Sequence, residues 1–255
     1  MIDFVCVGKT YRTGKGTVVA LREFTLNIGG GECMGLIGPS GSGKSTALRL
    51  VNRLVDPTSG SVRFEGRDLH SHSLVELRHK IGYVVQDGGL FPHLTVAENV
   101  GLLCRLVGQT RREVSRRVST LLELVALEPS EFAPRYPREL SGGQCQRVGV
   151  ARALALDPPC VLLDEPFSAL DPLTRDAIHG DFERLVQTLG KTVLLVTHDL
   201  REAFRLARRC ALLHAGGLMQ VGNAAAFLEH PETPFVETFV REGMRQSGSA
   251  PHVTA

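Results

Sequence analysis

The run Gly38-Pro39-Ser40-Gly41-Ser42-Gly43-Lys44-Ser45 fits the spacing G-x-x-x-x-G-K-[S/T] without a departure. Glycines in such a loop let backbone N–H groups curl inward around phosphate oxygens, where a side chain would block the approach. A helix pattern begins at Lys44 and adds its positive N-terminal end to the same place. Lys44 has the reach for β- and γ-phosphates, the Ser45 hydroxyl can hold Mg²⁺, and Thr46 follows on the first turn. Much further along, the apolar run Val161-Leu162-Leu163 ends in two carboxylates, Asp164 and Glu165. Successive side chains of a strand point to opposite sides, so the two are suited to different tasks. Asp164 is placed to orient Mg²⁺ through its water shell, and Glu165 to polarise a water for attack on a γ-phosphate. Alone, an Asp-Glu-Pro run often just closes a strand. Beside a phosphate loop it reads as chemistry.

A third group is Leu140-Ser141-Gly142-Gly143-Gln144. Serine, two glycines and an amide ahead of a helix pattern make a second anion-binding N-terminus. One chain cannot easily fold both loops onto a single nucleotide, so two chains facing head to tail are implied.

The elements that must position these groups follow from periodicity. Strands are predicted over 2–7, 24–28, 33–37, 61–64 and 81–85, with a helix from Lys44 to about Val55, closed by Pro57 and Gly60. From about Asp87 to Leu156 strand signals vanish. Helical spacing appears at Val96, Val100, Leu103 and Val107, then at Val114, Val118, Leu121 and Leu122. Strands resume over 160–163, 192–196, 209–213 and 218–221, with a helix pattern between the first two. The fold class is therefore α/β, interrupted by a helical insert. The stretch after about Arg241, rich in Gly, Ser and Pro, reads as a frayed, flexible tail (241–255).

Composition narrows the function classes. The 255 residues carry 43% hydrophobic and 22% charged side chains, enough for a sizeable core. No run approaches 18 uncharged apolar residues, and the N-terminus lacks the pattern of a secretion signal. A formal charge of +2 gives no global field for nucleic acid, and the arginines at 111, 112, 116 and 117 read as a solvated helix face. Six scattered cysteines (6, 33, 104, 145, 160 and 210) show no metal or redox spacing, which fits free thiols in a reducing cytosol.

Taken together, these motifs resemble the nucleotide-binding subunit of ABC transporters over about residues 1–240. The resemblance implies a P-loop NTPase core of the ABC ATPase type (about 1–86 and 157–240) with an inserted helical subdomain (about 87–156). It implies ATP and Mg²⁺ as ligands. Tyr11 matches the aromatic residue on which adenine stacks. Gln86 matches the glutamine that touches Mg²⁺ and the attacking water and joins insert to core. Ser168-Ala169-Leu170-Asp171 matches a loop that crosses the dimer interface, and His198 a histidine that contacts the γ-phosphate. Taken singly, Tyr11 reads as a surface tyrosine, His198 as a structural histidine, and Gln86 carries no signal. Their roles rest on the whole ordered set, in which Glu165, His198 and Gln86 are catalytic. Ser45, Gln86 and Asp164 would hold the metal, while Ser141, Gly142, Gly143 and Gln144 meet the nucleotide of a second chain. Cys145, where the family more often has a long polar residue, is expected to pack into the helix start.

The family's partners are a second ATPase subunit brought in by ATP, transmembrane permease subunits and, indirectly, a solute-binding protein, at the cytoplasmic face of the cell membrane. A regulatory C-terminal extension is not expected after Val240. Two stretches resemble importers of quaternary-ammonium osmoprotectants such as glycine betaine, choline and carnitine: Val51-Asn52-Arg53-Leu54-Val55, and the run from Leu77 to Gln86 continued by Gly89 to Val96. The alternatives are an importer of another small solute such as an amino acid, and a non-transport ABC ATPase. For DNA-maintenance ATPases the insert is too short, and tandem translation factors need a second phosphate loop. A non-catalytic ATP-binding module usually lacks the glutamate or histidine present here.

Overall fold

The computed structural model describes residues 1–14, 16–86, 88–167, 180, 183 and 190–246. Strand β1 (Ile2–Thr13) pairs antiparallel with β2 (Gly16–Ile28). A second sheet contains β3 (Cys33–Ile37), while β4 (Ser59–Phe64) and β5 (Arg67–Asp68) complete the first in the order β2-β1-β4-β5. β6 (Ile81–Val84), β7 (Cys160–Asp164), β8 (Thr192–Val196), β9 (Arg209–His214) and β10 (Gly217–Gly222) join β3 in the order β10-β9-β3-β8-β7-β6. The strands from β9 to β6 run parallel, and β10 returns antiparallel along β9.

β3, β7 and β8 are buried along their whole length, as strands covered on both faces must be. Alternation then decides what each face meets. Leu162 and Leu194 join Phe4, Phe24 and Phe64 of the antiparallel sheet in one core. Val161, Leu163, Val193 and Leu195 face the other way, against Val100, Val118, Leu122 and Val148.

Among the described residues nine α-helices have defined bounds, beside two short 3-10 turns at Leu69–Ser71 and Pro137–Glu139. The first five are α1 (Lys44–Val51), α2 (Leu74–His79), α3 (Val96–Leu106), α4 (Arg111–Leu124) and α5 (Pro129–Phe132). The others are α6 (Gly142–Ala153), α7 (Leu200–Leu206), α8 (Ala224–Glu229) and α9 (Pro234–Gln246). Between β6 and β7 every described element is helical. Among the described residues no helix is long and apolar enough to cross a membrane.

Three expectations are corrected. β1 and β2 extend well past 2–7 and 24–28: Gly8 to Arg12 of β1 are mostly polar and only partly buried, and Val18-Val19-Ala20-Leu21 of β2 is a continuous apolar run without alternation, exposed at its start and buried at its end. Helix α1 stops at Val51 rather than near Val55. Arg53 turns left-handed (φ 46°), Leu54 N donates to Arg49 O (2.8 Å) and Arg53 N to Leu50 O (3.1 Å). That is a Schellman ending with arginine where glycine is usual, so the stop is invisible to residue type. Finally, residues 241–246 are helical, not tail: Val236 and Val240 are buried, and Met244 packs with them against Leu200 and Phe227. Ser168–Asp171 and nearly all of the helix expected between β7 and β8 lie outside the described residues.

Candidate functional site

The phosphate loop joins β3 to α1 and is wedged between two other strands. Gly43 (φ 106°) sits where an added Cβ would lie 2.4 Å from Ala20 O, and at Gly38 (φ 141°) one would lie 2.2 Å from Leu213 O. Only glycine meets both the backbone sign and the space. Lys44 is buried, and its Nζ donates to Gly38 O and Pro39 O, both at 2.8 Å. Burial pulls its pKa down, while Glu165 and Asp164 act the other way. The loop lines a cavity of about 190 Å³ with Val18, Ala20, Thr46 and Glu165 on its walls.

The parallel register carries the end of β7 to the same place. Ser45 Oγ donates to Asp164 Oδ1 (2.9 Å), and Tyr83 OH to Asp164 Oδ2 (3.3 Å). Burial first, then the Asp164 charge, push the Tyr83 pKa up to about 12, so it stays a donor at neutral pH. Glu165 takes the left-handed backbone (φ 48°), and its N–H donates to Val196 O (2.9 Å). Its carboxylate turns away from Asp164: Oε2 accepts from Gln86 Nε2 (3.4 Å) and lies 3.3 Å from His198 Nδ1. His198 follows β8, ahead of Asp199, which caps α7 by accepting from the amides of Arg201 and Glu202. Gln86, Glu165 and His198 thus meet at one oxygen, and Ser45 and Asp164 meet beside them.

The remaining candidates lie elsewhere. Ser141 and Gly142 are exposed at the start of α6. Ser141 Oγ accepts from Gln144 N (3.3 Å), and Gln144 Oε1 accepts from Ser141 N (2.9 Å), a capping box that uses both side chains. None of residues 141–144 lines the phosphate-loop cavity. Tyr11 is half-buried on β1 opposite Val18, which does line it. Lys9 Nζ stands 4.9 Å from the Tyr11 ring centre, and the hydroxyl has no hydrogen-bond partner among the described residues. Cys145 is partly buried, with Sγ 3.6 Å from Pro137 O, and burial raises its pKa, so the thiol is not activated.

Residues 21–168 match the ABC transporter family. The chain belongs to that family. It is 46% identical over 250 residues to the "Choline transport ATP-binding protein OpuBA" of Bacillus subtilis, covering 98% of this chain and 65% of that protein. With the "Glycine betaine uptake system ATP-binding protein YehX" of Escherichia coli it shares 46% over 239 residues, 94% of this chain and 76% of that one. The chain thus spans just under two thirds of the first of these relatives. Among solved structures it resembles the ATP-binding cassette MJ0796, determined as a dimer in a post-hydrolysis state with ADP and Pi. There the TM-score is 0.79 at 38% identity, covering 88% of this chain and 98% of the cassette. The ABC ATPase fold expected from the motifs is therefore the fold observed.

Sequence reasoning gave no role to three residues that the structure ties to this ABC site. Tyr83 holds Asp164. Asn99, fully buried, accepts from Phe91 N (2.8 Å) and donates to the carbonyls of Phe91, Leu94 and Thr95. Arg152 reaches back from α6 to the segment after Gln86. All three are polar residues in otherwise apolar stretches, the one signal that could have marked them.

Proposed function

We propose that this chain is the ATP-binding and ATP-hydrolysing subunit powering an importer of quaternary-amine osmoprotectants such as glycine betaine, choline and carnitine. One observation carries the reading: Gln86, Glu165 and His198 converge at the phosphate loop of a chain 46% identical over 98% of its length to a choline transport ATP-binding protein.

Lys44 and the loop amides hold the β- and γ-phosphates, and Tyr11 gives adenine a face to stack on. Ser45 Oγ and Asp164, joined by Gln86, are hard oxygen donors suited to Mg²⁺, which when bound neutralises phosphate charge. Glu165 is the base that polarises the attacking water, with Gln86 and His198 fixing its direction. The exposed Ser141, with Gly142, Gly143 and Gln144, supplies the second anion site to the nucleotide of a paired subunit. ATP thereby bridges two chains, and its loss releases them. The core (1–86 and 157–240) and the helical subdomain (87–156) are the two lobes that this cycle moves. Permease subunits seated near Gln86 carry the motion across the membrane, and the chain works at its cytoplasmic face.

Uptake of labelled choline and glycine betaine in cells with and without this subunit, at low and high osmolarity, tests the solute. The expected result is uptake lost with the subunit and restored by the intact chain but not by Glu165→Gln. Unchanged uptake of both, with loss of another small solute such as an amino acid, overturns it.

A further inference from the structure

Helix α6 carries the signature at its first turn and touches the segment beyond Gln86 along its length, from Cys145 to Arg152. Arg152 Nη1 donates to Gly89 O (2.8 Å) and Nη2 to Gly88 O (3.0 Å). Burial draws the pKa of this guanidinium down, but the group stays cationic, and charged donors make the stronger hydrogen bonds. Two glycines let helix and loop approach closely beside this clamp. A Cβ on Gly149 would lie 3.2 Å from Gly88 O and 3.3 Å from Gly88 Cα, and one on Gly88 would lie 3.2 Å from Cys145 O. The guanidinium also stands over the Phe91 ring, 5.8 Å from its centre. On the far side, Asn99 fixes Phe91, Leu94 and Thr95 to α3. At its other end this segment leads back to Gln86, 3.4 Å from Glu165.

We propose that Arg152 is a positioning residue: it latches the backbone after Gln86 to the signature helix, so that α6 and Gln86 move as one body. This rests on the reading of Gln86 and Glu165 given above. A signature helix drawn toward the nucleotide of a paired chain carries Gln86 with it, and the presence of that chain is thereby registered at the Glu165 carboxylate. Arg152 touches no reacting atom and acts through the Gly88 and Gly89 carbonyls, with the Phe91 ring beside them.

Two readouts on the full chain test this. The first is amide hydrogen exchange over 88–91, which reports the latch whatever Gln86 does. The second is a kinetic cycle of Arg152→Ala with Gln86→Ala. The expected result for Arg152→Ala is faster exchange over 88–91, unchanged ATP affinity and a kcat reduced about tenfold, with no further reduction when Gln86 is already alanine. Arg152→Lys, which keeps the charge but not the planar fork that spans both carbonyls, falls between the two. Unchanged exchange overturns the latch. A kcat loss repeated in full in the Gln86→Ala background, or one accounted for by a smaller folded fraction, overturns the positioning role. If Gln86→Ala itself hydrolyses ATP like the parent, the reading of Gln86 has failed, and exchange alone then decides the latch. Should Arg152→Ala not fold, Arg152→Lys carries both measurements with the same deciding outcomes.

Discussion

Glu165 holds a backbone conformation that a non-glycine residue adopts only at a cost of order 1–3 kcal/mol. The strain has a visible consequence: the chain turns at the end of β7, separating the Glu165 carboxylate from that of Asp164 although the residues are adjacent. Replacing the carboxylate by an amide keeps size and backbone and removes the proposed base. Glu165→Gln is therefore expected to lower kcat by about 10²- to 10⁴-fold while ATP affinity holds, as measured by phosphate release and by nucleotide titration. Hydrolysis near the parent rate would remove Glu165 from the mechanism. At this scale the sequence was informative wherever chemistry depends on near neighbours. Gly38 to Ser45 and Asp164-Glu165 declare themselves by spacing. Tyr83 and Arg152 do not, since their partners lie 81 and 63–64 residues away, and only the sheet register and the packing of α6 bring them together.

Helices and strands tell a similar story with different limits. Buried strands such as β3, β7 and β8 read as continuous apolar runs and were found at nearly their observed bounds. The far half of the β1–β2 ribbon and the left-handed helix ends were not. Helix α4 illustrates the second case: Ala126 (φ 56°) donates to Glu123 O (3.0 Å), and Leu127 donates to Leu122 O (2.9 Å). This is again a Schellman ending without glycine. Ala126 is exposed, so replacing it removes little packing. Relief of the left-handed strain outweighs the greater freedom of glycine in the unfolded chain. Ala126→Gly is expected to stabilise the protein by about 0.5 kcal/mol, read as a higher urea midpoint at constant slope. A lower midpoint would mean that the αL turn is not strained. The same reasoning explains α9, where spacing of Val236, Val240 and Met244 outlasts the polar composition of the region and continues the helix to Gln246.

At the scale of the molecule, the two loops proposed above to bind anions do not meet within the chain. The phosphate loop lies between β3 and α1, while the signature, with Ser141 and Gly142 exposed at the start of α6, lines no part of the phosphate cavity. A nucleotide held by one and completed by the other requires a second copy or a paired subunit. The formal charge of +2 sets no strong repulsion between copies, so phosphate contacts rather than net charge decide association. Sedimentation of Glu165→Gln with Mg²⁺ and either ATP or ADP measures this directly, because the substitution is expected to slow turnover while leaving every residue of the phosphate loop unchanged. The account expects a dimer with ATP and mostly monomer with ADP or without nucleotide. A dimer equally stable in all three conditions, or a monomer throughout, would contradict it.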